Sequence, residues 1–348
     1  MQPRSSLRLI TLALVAVAFS TLLASPAITS AQQPYKVVDH WKLGGEGFWD
    51  YLIADPSAHR LYLTRGAHVD VVDTQSGKLI GSITGLHGTH GVALDTAGNF
   101  GYISDGGGNA VVVFDRATLA TEATIPAGTG PDGIIFEPAT QTVWAFNGRS
   151  KDVTVIDAAT RKVVATIPLP GRPEFPAVNG NGFVFDNIED KSEIVRLDAR
   201  SLKLTAEWPL VGCEGPSGLA IDAPGARLFP VCDGKKMGVV DAITGKTLAT
   251  AEIGNGPDAA GWDAAHKLAF ASCGEGVLSV VDAAAPGYPT IETLPTQASA
   301  RTMAYDSAAD RIYLSAAELG PRPAPTPDNP RPRPTITPGS FTILVVGR

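Results

Sequence analysis

The chain has 348 residues, of which 44% are hydrophobic and 18% are charged. An apolar fraction of this size is typical of a globular protein and excludes a wholly disordered chain. The 35 acidic and 28 basic residues give a net charge of −7, which argues against a nucleic-acid partner, since such proteins need clustered positive charge. Three cysteines are too few for a dense disulfide framework.

Residues 1–31 have the three parts of a secretory signal peptide. Arg4 and Arg8 precede a short apolar run, and small residues follow it up to Ala31. We expect cleavage after Ala31, which would release residues 32–348 into the periplasm or outside the cell. An uncleaved N-terminal anchor is the alternative. The sequence holds no other apolar run of spanning length, so we expect no membrane span after cleavage.

The rest of the sequence repeats with a period near 42 residues. Each repeat carries two mostly apolar residues followed by an aspartate. In the unit over 128–169, turn residues separate four short runs rich in β-branched residues, which is the pattern of four strands. Four strands in a repeat of fixed length are typical of a β-propeller blade. The aspartates that mark the pattern are Asp73, Asp115, Asp157, Asp198, Asp241 and Asp282.

The number of repeats predicts an all-β, seven-bladed β-propeller that occupies residues 32–348 as a single domain. Six complete units follow one another, and a seventh begins near Ala300. The seventh contains only three strands, the last of them over 341–346. The segment 35–43 reads as a strand without a blade of its own. We expect it to pair beside the C-terminal strand, which closes the ring and protects two sheet edges.

The repeat also resembles that of a known family. The segment 153–167, Val-Thr-Val-Ile-Asp-Ala-Ala-Thr-Arg-Lys-Val-Val-Ala-Thr-Ile, is followed by an opening of the Gly-x-x-Pro-x-Gly kind. In these features the chain resembles the YncE-like, YVTN-repeat seven-bladed β-propellers of secreted bacterial proteins, over nearly all of 35–348. The resemblance implies the fold and secretion, and a binding protein more than any one activity. Related propellers include lactonases and the heavy chains of quinoprotein dehydrogenases.

Residues 320–338 interrupt the repeat with eight prolines. Such a segment lacks backbone donors and favours an extended polyproline conformation. It lies between the second and third strands of the last blade, so we expect it to overhang the channel mouth at which the first strands begin. Two interpretations are open, a surface insert without fixed structure and a lid or docking segment.

One mouth of the predicted channel should gather a ring of polar side chains. In six units a residue at the start of strand one precedes a residue at the end of strand two by fifteen positions, and in the fourth unit by thirteen. We expect each such pair to be cross-strand neighbours. Because strand one lines the channel, its members should face the axis. They are Asp50, His90, Asp132, Glu174, Ser217, Asp258 and Arg301, and their strand-two partners include Asp105 and Asn147.

This ring could bind one divalent cation or a polar small molecule. Convergent carboxylates suit a hard cation such as Ca²⁺, and an added imidazole admits softer divalent metals. We expect His90 to face Asp105, which would fix the imidazole tautomer, with His87 close by. The candidate metal ligands are therefore His90, Asp105 and Asp132. The alternatives are solvated polar residues at a wet channel mouth and a simple solvated His–Asp pair.

The three cysteines allow one disulfide. Cys232 and Cys273 occupy the same position in adjacent blades, and neighbouring second strands lie too far apart for a direct bond. Cys213 precedes the fifth blade and should lie above Cys232, so we expect these two to be bonded. Cys273 would then be a half-buried free thiol that faces the channel mouth. Three reduced cysteines are the alternative.

No motif in the sequence specifies an enzyme. It contains no Cys-x-x-Cys-His for covalent haem, no Gly-x-Ser-x-Gly elbow and no phosphate-binding loop. We therefore favour a secreted, monomeric module that binds a small molecule or a protein at the channel mouth and has no catalytic residue. A subunit that docks a redox partner is a further hypothesis, and the fold alone cannot choose among these functions.

A divalent-metal-dependent hydrolase of lactonase type is the main alternative. The Gly-Glu-Gly at 45–47 resembles the opening of the six-bladed metal lactonases. That resemblance implies metal ligands at Glu46, Asn147 and Asp233. Those lactonases differ from the present chain in blade number and in the surrounding motifs.

Overall fold

A computed structural model of the chain describes residues 33–95, 98–326 and 332–348. All 28 strands in these residues belong to seven four-stranded antiparallel sheets, and two short 3-10 helices complete the regular structure described. The all-β, seven-bladed β-propeller that the sequence predicts is therefore confirmed. The predicted signal peptide, residues 1–31, lies outside the described residues. The described part of the chain contains no helix with the length and apolar character that a membrane span needs.

The strands follow one another in chain order within each blade. The N-terminal strand β1 (Lys36–Lys42) precedes blade one, which is β2 (Leu52–Asp55), β3 (Arg60–Thr64), β4 (Val69–Asp73) and β5 (Leu79–Ile83). Blade two is β6 (Thr89–Leu94), β7 (Phe100–Asp105), β8 (Ala110–Asp115) and β9 (Thr121–Pro126). Blade three is β10 (Pro131–Glu137), β11 (Thr142–Asn147), β12 (Asp152–Asp157) and β13 (Lys162–Pro168).

The other four blades continue the same pattern. Blade four is β14 (Pro173–Val178), β15 (Phe183–Ile188), β16 (Glu193–Asp198) and β17 (Lys203–Pro209). Blade five is β18 (Glu214–Asp222), β19 (Arg227–Asp233), β20 (Lys236–Asp241) and β21 (Thr247–Glu252). Blade six is β22 (Pro257–Asp263), β23 (Leu268–Cys273), β24 (Val277–Asp282) and β25 (Thr290–Pro295). Blade seven contains β26 (Thr302–Asp306), β27 (Arg311–Ala316) and β28 (Thr342–Gly347).

Blade seven is completed by the N-terminal strand. β1 pairs antiparallel with β28, from Lys36 opposite Gly347 to Lys42 opposite Thr342. The ring of Trp41 lies 5.3 Å from the ring of Tyr313 in the same blade. The predicted closure is therefore confirmed, and blade seven joins the two ends of the described propeller.

Burial between blades explains why the middle strands are almost wholly apolar. In β11, Val143 and Ala145 pack toward blade two, whereas Trp144 and Phe146 pack toward blade four. Full burial of such a side chain stabilises the fold by about 1.5–3 kcal/mol. The outer strand β17 alternates exposed and half-buried residues, because only one of its faces meets a neighbour.

A β-bulge interrupts the first strand in blades two to six. In blade four it follows Pro173, which lies opposite Ile188. In the other four of these blades, the strand-two residue of each predicted pair lies opposite the residue one position before the predicted partner. The predicted cross-strand pairs are therefore wrong in these blades. The observed partners are Thr89, Pro131, Pro216 and Pro257. A bulge leaves a residue without a cross-strand partner and re-aims its side chain.

The proline-rich insert lies between β27 and β28, and its base has a fixed structure. Leu319 and Ile336 form an antiparallel bridge, and the backbone N–H of Gly320 donates to the carbonyl of Thr335 at 2.8 Å. Ile336 packs against the apolar cluster that contains Trp49. The base of the insert is therefore attached to the propeller by both hydrogen bonds and apolar contacts.

Candidate functional site

Charged side chains from six blades meet at one mouth of the channel. Arg301 forms an ion pair with Asp258, and its second terminal nitrogen lies 3.6 Å from Asp50 Oδ1. His90 Nδ1 lies 2.7 Å from Asp50 Oδ2 and 3.5 Å from Asp132 Oδ1. Each contact crosses from one blade to another, so these five side chains form a continuous network. Glu174 of blade four interacts electrostatically with Asp132 and Asp50. We call the whole group the mouth ring, and it consists of Asp50, His90, Asp132, Glu174, Asp258 and Arg301.

Buried hydroxyl groups hold the main chain of the ring in place. Ser104 Oγ on β7 donates to the carbonyl of Asp132 at 2.5 Å, and Ser272 Oγ on β23 donates to the carbonyl of Arg301 at 2.5 Å. Both bonds run from the second strand of one blade to the ring residue of the next blade. Buried polar groups that are paired in this way fix the ring residues relative to the neighbouring blade.

Two aromatic side chains close the channel beneath the ring. The ring of Tyr51 packs against that of Phe175 of β14 with the centroids 4.3 Å apart and the planes tilted by 50°, although the two residues belong to blades one and four. The Tyr51 hydroxyl donates to the carbonyl of Asp258 in blade six at 3.2 Å. Only 4% of Tyr51 is exposed. The mouth is therefore a closed cup and not one end of an open pore.

Burial and crowding raise the pKa values of two ring acids, Asp132 and Glu174. Burial raises the pKa of Asp132 to about 6. The charge of His90 lowers this pKa, and the charge of Asp50 raises it. Burial and the charge of Asp132 hold the pKa of Glu174 well above its ordinary value. Glu174 therefore stays neutral to a higher pH than a solvated glutamate does.

His90 responds in the opposite sense. Burial disfavours the charged imidazole, but the hydrogen bond to Asp50 and the negative charge of Asp132 outweigh this effect, so the pKa of His90 is raised. The guanidinium of Arg333, in the proline-rich insert, partly opposes the shift. His90 is therefore a cationic partner of two carboxylates below its raised pKa.

A buried aspartate in blade four belongs to the same electrostatic group. Asp186 on β15 is fully buried, and burial raises its pKa well above the ordinary value, with a further contribution from the charge of Asp132. The sequence analysis missed this residue, because it follows an apolar run and reads as part of a core strand. An acidic residue directly after the apolar residues 183–185 is the signal that could have identified it.

The structure separates Asp105 from the ring. Asp105 accepts a hydrogen bond from the His87 backbone at 2.8 Å and lies 3.2 Å from His87 Nδ1, and its cross-strand partner is Thr89. The predicted pairing of His90 with Asp105 is therefore wrong. His90 lies within the bulge of β6, and its imidazole contacts Asp50 instead.

Asn147 and Ser217 are also engaged within the fold. Asn147 is fully buried, and its amide donates to Asp152 at 2.6 Å and to Thr154 at 3.0 Å. The Ser217 hydroxyl donates to the carbonyl of Pro257 at 3.1 Å. Asn147 ends β11 opposite Pro131, beside the mouth, but it is buried, so the lactonase-type ligand set that includes it is incomplete.

Three potential ligands of a divalent cation converge in the ring. Asp50, His90 and Asp132 each offer one ligand atom, and these atoms lie within 4.8 Å of one another. Two carboxylates and an imidazole suit Ca²⁺ or a softer divalent ion. Asp50 thus takes the place that the sequence analysis assigns to Asp105. A cation bound here would compete with Arg301 for the Asp50 carboxylate.

A second acidic group, on blades six and seven, already has a cation of its own. Asp263, His266 and Asp310 also converge, but a terminal nitrogen of Arg348 lies 3.0 Å from Asp263 Oδ2. Arg348 Nε lies 3.5 Å from Asp310 Oδ2. The guanidinium near the C-terminus therefore supplies the positive charge that this group needs.

The cysteines agree with the sequence analysis in pairing but not in exposure. Cys213 and Cys232 form a disulfide with their Cα atoms 5.3 Å apart, as predicted. Cys273 is free but fully buried, so its predicted position facing the channel mouth is wrong. Burial raises the pKa of its thiol to about 12, which excludes a reactive thiolate at neutral pH.

Comparison with known proteins supports the fold alone. No protein-family description and no curated protein matches the chain. Among solved structures, it is similar to hydrazine synthase of Kuenenia stuttgartiensis, with a TM-score of 0.69 and 14% identity over 76% of this chain and 91% of that one. It is also similar to U3-55K, with a TM-score of 0.72 and 11% identity over 89% and 98% of the two chains. The chain is therefore a seven-bladed β-propeller, a fold consistent with a binding module.

Proposed function

We propose that this protein is a secreted binding module of the YncE-like kind that holds a small polar ligand in the mouth ring. The observation that carries the proposal is the convergence of six ionisable side chains from six blades above a closed aromatic floor. Concave sites with a few convergent polar groups are the usual location of ligand binding.

The ring offers groups of both signs to such a ligand. Arg301 and His90 donate hydrogen bonds, whereas Asp50, Asp132 and Asp258 accept them. These groups are partly exposed, with 37% of the His90 side chain and 31% of the Arg301 side chain accessible. A ligand that carries both hydrogen-bond donors and acceptors would therefore fit the ring best.

Secretion is part of the proposal. The predicted signal peptide over 1–31 supports it, and so does the Cys213–Cys232 disulfide, since such bonds persist in oxidising compartments. N-terminal sequencing of the protein recovered from the periplasm or medium should begin at Gln32. Full-length protein retained in the cytoplasm would contradict this part of the proposal.

The binding proposal is tested by a thermal-shift screen of the protein expressed from the full chain. The panel contains Ca²⁺, Mn²⁺, Zn²⁺, amino acids, sugars and small organic acids. A ligand of the ring should raise the melting temperature of the wild type but not of Asp132→Asn or Arg301→Gln. The matched control is Glu207→Gln, an exposed carboxylate on the outer strand β17. Compounds that act equally on all four proteins, or no active compound, would contradict the proposal.

A metal-dependent hydrolase is the second candidate, and the close approach of Asp50, His90 and Asp132 favours it. A cation there would polarise a substrate carbonyl or a bound water. Elemental analysis of protein purified without chelator should then find about one divalent ion per chain, lost in His90→Ala and Asp132→Ala. Lactone hydrolysis that disappears on chelation and returns with metal would support this candidate, and protein free of metal would remove it.

A further inference from the structure

A separate cavity adjoins the mouth ring beneath the proline-rich insert. Its volume is 350 Å³, and its walls come from the insert, the loop before blade one and the start of blade seven. Cavities of about 300–1,000 Å³ are typical of sites for small molecules. We call it the arginine pocket, and the lining residues that matter here are Phe48, Trp49, Arg301, Leu319, Arg322 and Arg333.

The three arginines in this pocket differ in their partners. Arg301 is paired with Asp258 and faces Asp50 in the mouth ring. Among the residues that the structure describes, neither Arg322 nor Arg333 forms an ion pair. In a chain with a net charge of −7, two unpaired guanidinium groups in one cavity are a local excess of positive charge. Arginine recognises carboxylates through paired hydrogen bonds, so the pocket favours an anion.

Two further residues of the pocket wall are apolar and accessible. Phe48 is 51% exposed and Leu319 is 46% exposed. Large apolar side chains that stay exposed at a cavity are typical of a binding surface. The Arg333 guanidinium lies 5.8 Å from the centre of the Phe48 ring, so the charged and apolar walls are continuous.

Arg322 and Arg333 lie on the two arms of the insert, at the same distance along the chain from its base. Beyond the Leu319–Ile336 bridge, the backbone N–H of Thr335 donates to the carbonyl of Pro321 at 3.2 Å. Arg322 and Arg333 each lie three positions beyond that bridge along their own arm. Both side chains line the same cavity, which suits a ligand that needs two guanidinium groups.

We infer that the arginine pocket binds a small organic anion that carries a carboxylate on an aromatic or branched apolar body. The carboxylate accepts hydrogen bonds from Arg322 and Arg333, and the apolar body lies against Phe48 and Leu319. The inference goes beyond the proposed function, because the arginine pocket shares only Arg301 with the mouth ring and would be a second binding site. It gives the proline-rich insert a role in binding.

Isothermal titration calorimetry of the protein expressed from the full chain tests the inference. Phenylacetate and 4-methylpentanoate are the probes, and phenylacetamide is the neutral control. Both carboxylates should bind saturably, and the amide at least tenfold more weakly. Arg322→Gln and Arg333→Gln should each weaken carboxylate binding at least tenfold. Arg149→Gln, an exposed arginine after β11 that lines neither site, should leave binding unchanged.

Two results would overturn the inference. One is the absence of saturable binding by either carboxylate, and the other is equal binding by the wild type and the Arg322→Gln/Arg333→Gln double variant. Both arginines are exposed, so the variants should melt as the wild type does. The two proposals fail separately: the proposed function fails when no compound depends on Asp132, and the inference fails when carboxylates do not depend on these two arginines.

Discussion

The two ends of the channel are built from the same first strands and yet carry opposite chemistry. At the mouth, ionisable residues stand where six of these strands begin, and five of them form one network of ion pairs. Beyond the Tyr51–Phe175 floor, the same strands line a cavity of 500 Å³ with mainly apolar side chains, among them Leu52, Val92 and Ile134. One short strand therefore supplies a polar site and an apolar lining within a few residues.

The β-bulge is what separates the two regions in blades two to six. A residue within the bulge is released from the pairing of the ladder and can carry charge, whereas residues after it return to regular pairing. The residues at the channel mouth of a propeller can thus be substituted without altering the packing of its blades. The predictions below test this division of labour, from the largest expected effect to the smallest.

Removal of β1 should break both ends of the channel together. Deletion of residues 33–42 leaves β28 without its partner and opens the ring of blades. We expect circular dichroism to show no cooperative thermal transition. A deletion variant that melts as sharply as the wild type would show that blade seven closes without β1.

Tyr51→Ala should damage the boundary between the two ends. It removes a buried ring that packs against Phe175 and a hydrogen bond to Asp258, so we expect a loss of about 3–5 kcal/mol in the free energy of unfolding, measured with urea. Phe48→Ala, which removes a half-exposed ring at the mouth, is the control and should cost less than about 1 kcal/mol. Similar losses in the two variants would contradict a packed floor.

Arg301→Gln should affect the mouth alone. It leaves the Asp258 and Asp50 carboxylates without their cation, and we expect a loss of about 1–3 kcal/mol in urea unfolding. Adding Asp258→Asn should restore part of this loss, because the unpaired charge is removed. Additive effects of the two substitutions would mean that the ion pair contributes no coupling energy.

Asp186→Asn should give an effect that depends on pH. The raised pKa means that the folded state keeps this proton when the unfolded state has lost it, so wild-type stability falls as the pH rises above the ordinary value of 3.8. The stability of Asp186→Asn relative to the wild type should therefore increase between pH 4 and pH 8. Urea unfolding at several pH values measures this slope, and a difference that is constant with pH would contradict a neutral Asp186.

Replacement of residues 322–333 by a Gly-Ser link should have the smallest effect on stability. The link leaves the Leu319–Ile336 bridge in place, so we expect the free energy of unfolding to change by less than about 1 kcal/mol. Carboxylate binding should be lost while the mouth ring remains. A large fall in melting temperature would show that the outer part of the insert is packed against the blades.

Much of the fold could be predicted because its signals repeat. The aspartate at the end of each third strand gave the period, and the unpartnered strand at 35–43 gave the closure. The Cys213–Cys232 bond followed from placing Cys213 just before blade five. The constant spacing between the start of strand one and the end of strand two also identified the ring residues that lie at the mouth.

The partners within the site could not be predicted from the same spacing. Blades two, three, five and six carry the same one-residue bulge in strand one. The number of residues between the ring position and strand two is therefore the same in all four, and this number does not distinguish bulged pairing from regular pairing. This is why His90 was assigned to Asp105 and not to Asp50. The Tyr51–Phe175 contact was beyond reach for another reason, since it joins blades three repeats apart.

The most direct test of the central claim is to follow the His90 side chain by NMR while a ligand from the screen is added. The chain has six histidines, and the spectrum of His90→Gln assigns the His90 signal. If the mouth ring is the binding site, the His90 imidazole signals shift saturably with ligand, whereas those of His40, His59 and His266 stay in place. A ligand that binds without moving the His90 signals would place the site elsewhere and contradict the account.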